Sequence, residues 1–123
     1  MKTLFLCFSL AALAIVAAAA DDASLNGTWQ IRRNAGGNES KQDCTFSQKD
    51  NVLTGTCTND QGSVQINGKV AGKSATWTYK GESQGGPVTV VYTGTIDSAT
   101  KITGTVIAVE FSIEGEFTAI RSK

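Results

Sequence analysis

The sequence predicts an all-β protein, an eight-stranded antiparallel up-and-down β-barrel with one cross-strand disulfide. In eight short segments apolar residues alternate with polar ones at every second position, which is the period of a half-buried strand. Short turn sequences rich in Gly, Asn and Asp separate the segments, so neighbours should pair antiparallel in chain order. A sandwich is the alternative, but every segment has a single apolar face and closure into a barrel removes the free strand edges.

The N-terminal residues are typical of a secretory leader. Lys2 supplies a positive start, Leu4 begins an apolar run that ends at Val16, and the small residues Ala18–Ala20 suit a cleavage site. The run is shorter than the roughly 20 residues that a membrane-spanning helix needs. We therefore predict a signal peptide over residues 1–20 and a single barrel domain over residues 21–123, secreted or periplasmic, with no membrane attachment after cleavage.

The segment CTFSQKDNVLTGTC, residues 44–57, predicts a hairpin closed by a disulfide. Asp50 and Asn51 both tolerate positive φ and suit a two-residue turn between strand-like runs. Pairing the runs around that turn brings Cys44 opposite Cys57 in a non-hydrogen-bonded pair, where Cα atoms are closest. Removal of the leader, which contains Cys7, leaves two cysteines, and an even count in an exported chain indicates a disulfide. The sequence contains no His to complete a metal site with these thiols, so we expect neither a metal nor a cofactor.

The same alternation assigns an inward face to each of the other six segments. In chain order, the inward residues are Trp29 and Ile31; Val64, Ile66, Gly68 and Val70; Ala75, Trp77 and Tyr79; Val88, Val90, Tyr92, Gly94 and Ile96; Ile102, Gly104 and Val106; and Ile113, Gly115, Phe117 and Ala119. Glycines recur on this face in the repeats LTGT, YTGT and ITGT. A missing side chain lets a strand bend or lets a large ring lie across it.

Inward-pointing aromatic residues are the candidate ligand-binding residues of this barrel. They are Trp29, Phe46, Trp77, Tyr79, Tyr92 and Phe117. Tyr and Trp combine a large apolar area with one polar tip, which suits a small pocket. An eight-stranded barrel is just wide enough to be filled by side chains or to hold one small ligand. We expect a cup for a small, partly apolar ligand; the alternative is a filled barrel that acts as a structural or protein-interaction module, such as an inhibitor or an extracellular surface-binding protein.

Charge and residue content exclude several functions. The chain has 11 basic residues, one of them in the leader, and 11 acidic residues, so it lacks the clustered positive charge of a nucleic-acid-binding protein. With no His and both mature cysteines bridged, no side chain is evidently activated as a nucleophile. Glu114 and Glu116 share the outer face, where carboxylates are ordinarily solvated. We therefore predict a protein that is not an enzyme.

Two outward features indicate other partners or modifications. A T-x-T pattern recurs at Thr54 and Thr56, Thr76 and Thr78, Thr93 and Thr95, and Thr103 and Thr105. Such an array could meet an extended surface such as ice, mineral or polysaccharide, although Thr is also a favourable exposed strand residue. Asn26 and Asn38 begin N-x-S/T sequences and are candidate glycosylation acceptors in a eukaryote.

Both ends of the barrel segment resemble the calycin superfamily. Asn26-Gly27-Thr28-Trp29 is similar to the G-x-W start of lipocalins and avidins, and Arg121 occupies the place of their late Arg. This resemblance implies that Trp29 lies across one end of the barrel with Arg121 packed over it. The order VLTGT, SATWTY and VVYTGTID looks most like avidins and like small secreted bacterial barrel domains. Where avidins carry their biotin-binding Asn this chain has Ile31, so biotin is not the expected ligand.

A protein partner is also implied by a resemblance. The small size and single disulfide are similar to those of a bacterial metalloprotease inhibitor, which acts through its N-terminal arm. In this chain the mature arm before Gly27 is short.

Overall fold

Residues 24–122 are described by the structure, a computed structural model, and they form a closed barrel of eight antiparallel strands in chain order. The strands are β1 (Gly27–Ala35), β2 (Asn38–Lys49), β3 (Val52–Asn59), β4 (Gly62–Ala71), β5 (Ser74–Ser83), β6 (Gly86–Ser98), β7 (Lys101–Ala108) and β8 (Ile113–Arg121). β8 pairs back to β1 and closes the sheet. The predicted fold class is confirmed, whereas the predicted signal peptide, residues 1–20, lies outside the described residues.

The β2–β3 hairpin has the predicted register. Lys49 pairs with Val52 and Cys44 with Cys57, and the two cysteines are bridged with Cα atoms 4.0 Å apart. That separation is nearer to the roughly 4.5 Å of a non-hydrogen-bonded antiparallel pair than to the roughly 5.5 Å of a hydrogen-bonded one. Only one of the two turn residues has a positive φ, Asp50 at 56°. The disulfide lies on the inner face, since both cysteines are buried.

One end of the barrel, at the start of β1, is sealed by the chain that precedes it; we call this the closed end. Leu25 is buried, and its backbone N–H donates to Gln48 Oε1 at 2.9 Å. The Leu25 carbonyl accepts a hydrogen bond from Trp29 Nε1 at 3.0 Å. The N-terminal arm thus satisfies the indole donor and covers this end of the core with an apolar side chain.

Arg121 completes the closed end. Its Cζ lies 4.6 Å from the centroid of the Trp29 ring, in the arrangement that the calycin resemblance implies. The guanidinium also donates to three backbone carbonyls, those of Ser24 at 2.7 Å, Asn26 at 2.5 Å and Ala99 at 2.9 Å. The guanidinium suits this arrangement because its N–H donors form a planar fork that can hydrogen-bond the N-terminal arm and the β6–β7 turn at the same time.

The opposite end is open, and we call it the mouth. It is formed by the end of β1, the start of β2, the start of β6 and the β7–β8 connection, which contains a single 3₁₀ turn at Val109–Phe111. On one side the wall is incomplete, because β4 and β5 pair only from Asn67–Ala71 to Ser74–Thr78. The remaining halves of these two strands separate toward the mouth.

Inner-face glycines make room for aromatic rings, as the repeats predict. A Cβ placed on Gly94 would lie 2.8 Å from Phe117 Cζ, so the Phe117 ring lies across that glycine. A Cβ on Gly68 would lie 2.7 Å from the Cβ of Trp77 on the neighbouring strand. Large rings therefore occupy space that ordinary side chains at these positions would take.

Candidate functional site at the mouth of the barrel

The six aromatic candidates form one continuous column inside the barrel. Trp77 stacks on Tyr92 with centroids 5.0 Å apart and an interplanar angle of 14°. Phe46 and Phe117 meet the Trp77 ring edge to face at 5.0 and 5.4 Å. The column continues to Trp29 at the closed end and to Tyr79 near the mouth. Offset and edge-to-face contacts of this kind stabilise a core beyond their burial alone.

Burial divides these six residues into two groups. Trp29, Phe46, Trp77 and Phe117 are buried and fill the middle and the closed end of the barrel. Tyr92 is also buried, but its hydroxyl joins a polar layer at the mouth, and Tyr79 is half-buried there. Tyr79 and Tyr92 are thus the two candidate rings whose polar tips reach the mouth. That any of the six binds a ligand stays a prediction.

The aromatic column contains an unpaired donor. Within residues 24–122, Trp77 Nε1 is the one buried side-chain polar atom that has no hydrogen-bond partner. A buried donor left without a partner costs on the order of 1–3 kcal/mol. The packing of Trp77 against three other rings offsets this cost.

A layer of polar side chains lies above the aromatic column and is centred on Arg33. Arg33 Nη1 donates to the hydroxyls of Tyr79 at 2.9 Å and Tyr92 at 3.1 Å, and Nε donates to Ser40 Oγ at 3.1 Å. Tyr92 in turn donates to Oε1 of Gln42 at 2.9 Å. Gln42 is only 3% exposed, so this layer borders the core directly.

The ionisation of this layer follows from its burial. Burial raises the pKa of the Tyr92 hydroxyl well above its ordinary value, and the nearby Arg33 only partly opposes this. Burial lowers the pKa of Arg33, but the charge interactions and hydrogen bonds with Tyr92 and Tyr79 outweigh it and raise the pKa overall. At neutral pH the layer therefore consists of one guanidinium cation among neutral hydroxyl and amide groups.

A cavity of about 210 Å³ opens beside Arg33 at the mouth. Its lining consists of Arg33, Ala35, Asn38, Ser40, Val90, Val106, Ala108 and Ile113. All of these positions belong to the inward-facing alternation of their strands, and none of them is acidic. The cavity is smaller than the roughly 300–1,000 Å³ typical of drug-sized ligands, so it suits a small molecule or one end of a longer one.

Two larger depressions have different characters. One of about 720 Å³ borders β1–β3 and the β3–β4 turn, and every residue lining it is polar or charged. The other, of about 990 Å³, lies over the closed end, where Leu25 and Arg121 separate it from the barrel interior. The closed-end depression also has apolar residues and two cations, Lys73 and Arg121, but Asp50 and Asp97 lie in the same lining. The mouth cavity is the one among these three whose lining has apolar residues and a cation but no carboxylate.

Arg33 and Gln42 were not among the residues predicted from the sequence, although a signal for both exists. The inward alternation Trp29, Ile31 continues to Arg33, and the alternation Phe46, Cys44 continues back to Gln42. A charged or amide side chain at an inward position breaks the apolar pattern, which makes the strand seem to end there. Such a break is a useful pointer to a polar site within a barrel.

The glycosylation candidates have different environments. Asn26 Oδ1 accepts a hydrogen bond from the backbone N–H of Gln48 at 2.6 Å, so that side chain already stabilises the closed end. Asn38 is exposed at the start of β2 and borders the mouth cavity.

The outer threonines align across neighbouring strands. Thr76 pairs with Thr93, and Thr93 pairs with Thr105, forming one row. Thr95 pairs with Thr103 in a parallel row, and the Thr103 hydroxyl donates to Asp97 at 2.8 Å. An extended-surface partner for these rows stays a prediction.

Within residues 24–122, no three His, Cys, Asp or Glu side chains cluster as metal ligands. The same range has no helix that is long and apolar enough to span a membrane.

No protein-family model matches the chain, and no curated protein matches it by sequence. Among solved structures, it is similar to a redesigned β-barrel with a TM-score of 0.66 and 20% identity, over 84% of this chain and 96% of that one. It is also similar to two redesigned barrels, mFAP1 and mFAP0, each bound to DFHBI. The match to mFAP1 has a TM-score of 0.60 and 21% identity, over 79% of this chain and 94% of that one. The match to mFAP0 has a TM-score of 0.57 and 23% identity, over 79% of this chain and 98% of that one. Identities this low support the shared barrel fold alone.

Proposed function

We propose that this protein is a secreted, non-enzymatic binding protein that holds a small, partly apolar ligand in the mouth of its barrel. The observation that carries the proposal is the cavity of about 210 Å³ with apolar walls and the Arg33 layer beside it. Binding sites commonly combine such walls with a few convergent polar groups. The middle of the barrel is filled by rings, which supports a ligand at the mouth rather than along the barrel axis.

The similar solved barrels support this proposal at the level of architecture. mFAP1 and mFAP0 are redesigned barrels that bind the small molecule DFHBI. An eight-stranded barrel of this size is wide enough to hold one small ligand. The secretory character rests on the leader sequence, and the non-enzymatic role rests on the lack of an activated nucleophile among the predicted site residues.

A direct test is to fill the cavity by mutation and measure binding of a neutral apolar probe. Ala108 lines the cavity, and Ala108→Phe would place an aromatic ring in it. Ala71 is exposed on the outer face near the closed end, so Ala71→Phe is a matched control. Calorimetric titration with octanamide should give binding on the order of 0.1–1 mM, as expected for a small ligand with few contacts. That binding should be lost in Ala108→Phe and kept in Ala71→Phe.

The second candidate is a filled barrel that contacts another protein. It is favoured by the closely packed aromatic column and by the exposed apolar side chains of Val109, Phe111 and Ile113 beside the mouth. Octanamide binding that Ala108→Phe leaves unchanged would contradict the mouth proposal and favour this alternative, as would the absence of binding of both octanamide and its carboxylate analogue, octanoate.

A further inference from the structure

We infer that the ligand of the mouth is a small apolar acid whose carboxylate is bound by Arg33. This inference rests on the proposed function and specifies the chemical class of its ligand. The ligand would place its carboxylate on the polar layer and its hydrocarbon part against the apolar wall of the cavity.

The first reason is that Arg33 is a half-buried cation without an anionic partner. Its hydrogen-bond partners within residues 24–122 are the neutral oxygens of Ser40, Tyr79 and Tyr92. Removing a charge from water is costly unless it is paired. Arg121, the comparable arginine at the closed end, has a structural role that Arg33 lacks, because it joins the N-terminal arm to the β6–β7 turn.

The second reason is that Arg33 keeps an unused donor. Nη1 and Nε of Arg33 are engaged, whereas Nη2 makes no hydrogen bond within the described residues. Arg33 itself lines the cavity, so this cationic donor belongs to a side chain that a ligand in the cavity would contact. A charged N–H donor of this kind matches a carboxylate oxygen.

The third reason is the composition of the cavity wall. Val90, Val106, Ala108 and Ile113, on β6 to β8, provide the larger part of the apolar lining, and the lining contains no carboxylate that would repel an anion. Arg33 is the one charged side chain in this lining. A cavity of about 210 Å³ has room for a short hydrocarbon chain or a single ring.

Octanoate and octanamide test this inference, because they share a hydrocarbon chain and differ in the charge of the head group. By calorimetric titration of the wild-type protein at neutral pH, octanoate should bind about tenfold or more tightly than octanamide, as expected for a charge-assisted pair. Arg33→Gln should abolish this preference, because it should weaken octanoate binding more than octanamide binding. Arg32 is the exposed neighbour on the outer face, so Arg32→Gln is the matched control and should keep the preference.

Tyr79→Phe provides a second test in case Arg33→Gln fails to fold. It keeps the ring and removes the hydroxyl that accepts from Arg33 Nη1 and orients the guanidinium, so it should weaken octanoate binding several-fold and reduce the preference over octanamide. Equal affinity of the wild-type protein for the two compounds would overturn the inference and leave the proposed function standing. If neither compound binds, both are overturned. Loss of the preference in Arg32→Gln as well would point to general charge attraction and overturn the role of Arg33.

Discussion

Gly104→Ala tests the close approach of β6 and β7 on which the aromatic column depends. Gly94 and Gly104 face each other across these two strands, and the Phe117 ring lies across Gly94. A Cβ on Gly104 would overlap the carbonyl oxygen of Thr93 and lie 2.6 Å from the Cα of Gly94. These are backbone atoms of a central strand, so they cannot rotate away from the added methyl group as a side chain could.

The magnitude of this effect follows from two opposing contributions. Overpacking a close-packed interior ordinarily costs about 1–3 kcal/mol and occasionally more. Replacing Gly with Ala reduces the conformational entropy of the unfolded chain, which offsets about 0.4–1 kcal/mol of that cost. Because the clash is with backbone, we expect an overpacking cost in the upper part of the range and, after the offset, a net loss of about 1.5–2.5 kcal/mol in the free energy of unfolding. For a domain of this size that corresponds to a decrease in Tm of roughly 6–12 °C.

Gly81→Ala is the matched control for this experiment. Gly81 is also a strand glycine without positive φ, but a Cβ there would meet its nearest neighbour, Tyr79 Cε1, at an ordinary 3.5 Å. This variant should be as stable as the wild type or slightly more stable. Urea unfolding followed by tryptophan fluorescence and far-UV circular dichroism measures both variants. A Gly104→Ala variant within about 0.5 kcal/mol of wild type would refute the close approach, and an equal loss in Gly81→Ala would refute the steric explanation.

Three further predictions concern the disulfide, the closed end and the β7–β8 connection. Replacing Cys44 and Cys57 together with Ser should lower the free energy of unfolding by about 2–4 kcal/mol; two thiols alkylated in the unreduced native protein would contradict the bridge. Arg121→Gln should lower stability by about 1–2 kcal/mol in urea unfolding, and Arg121→Lys should recover only part of this because an ammonium lacks the planar fork; full recovery would count against the fork. The backbone N–H and the hydroxyl of Thr89 both donate to the Glu110 carboxylate, and these hydrogen bonds hold the pKa of that carboxyl below its ordinary 4.5. The stabilisation that they give is therefore fully present above pH 4.5 and is lost as the pH falls through the lowered pKa that Glu110 has in the folded protein. Thr89→Val should raise the Glu110 pKa in an NMR titration, and an unchanged pKa would exclude the hydroxyl as a cause.

The alternation of residue types predicted the strands and which of their side chains point inward. This worked because a strand's side chains alternate between faces regardless of what lies beyond the sheet. The symmetric spacing of Cys44 and Cys57 around a two-residue turn predicted the register of β2 and β3, since a hairpin is a local structure. The G-x-W start, through its resemblance to calycins, implied the pairing of Trp29 with Arg121 that the structure has.

Whether the barrel is filled, and at which end it is open, depended on the tertiary structure. Trp29 and Tyr79 are both inward aromatic residues in the sequence, yet one lies under the N-terminal arm and the other borders the mouth. The polar layer joins Arg33 to Tyr79, which lies 46 positions away along the chain, and to Tyr92, which lies 59 positions away. A pattern with a period of two tells which face of the sheet a side chain occupies. It does not tell which side chains of distant strands lie at the same level along the barrel axis, because that level depends on the stagger of all eight strands around the closed sheet.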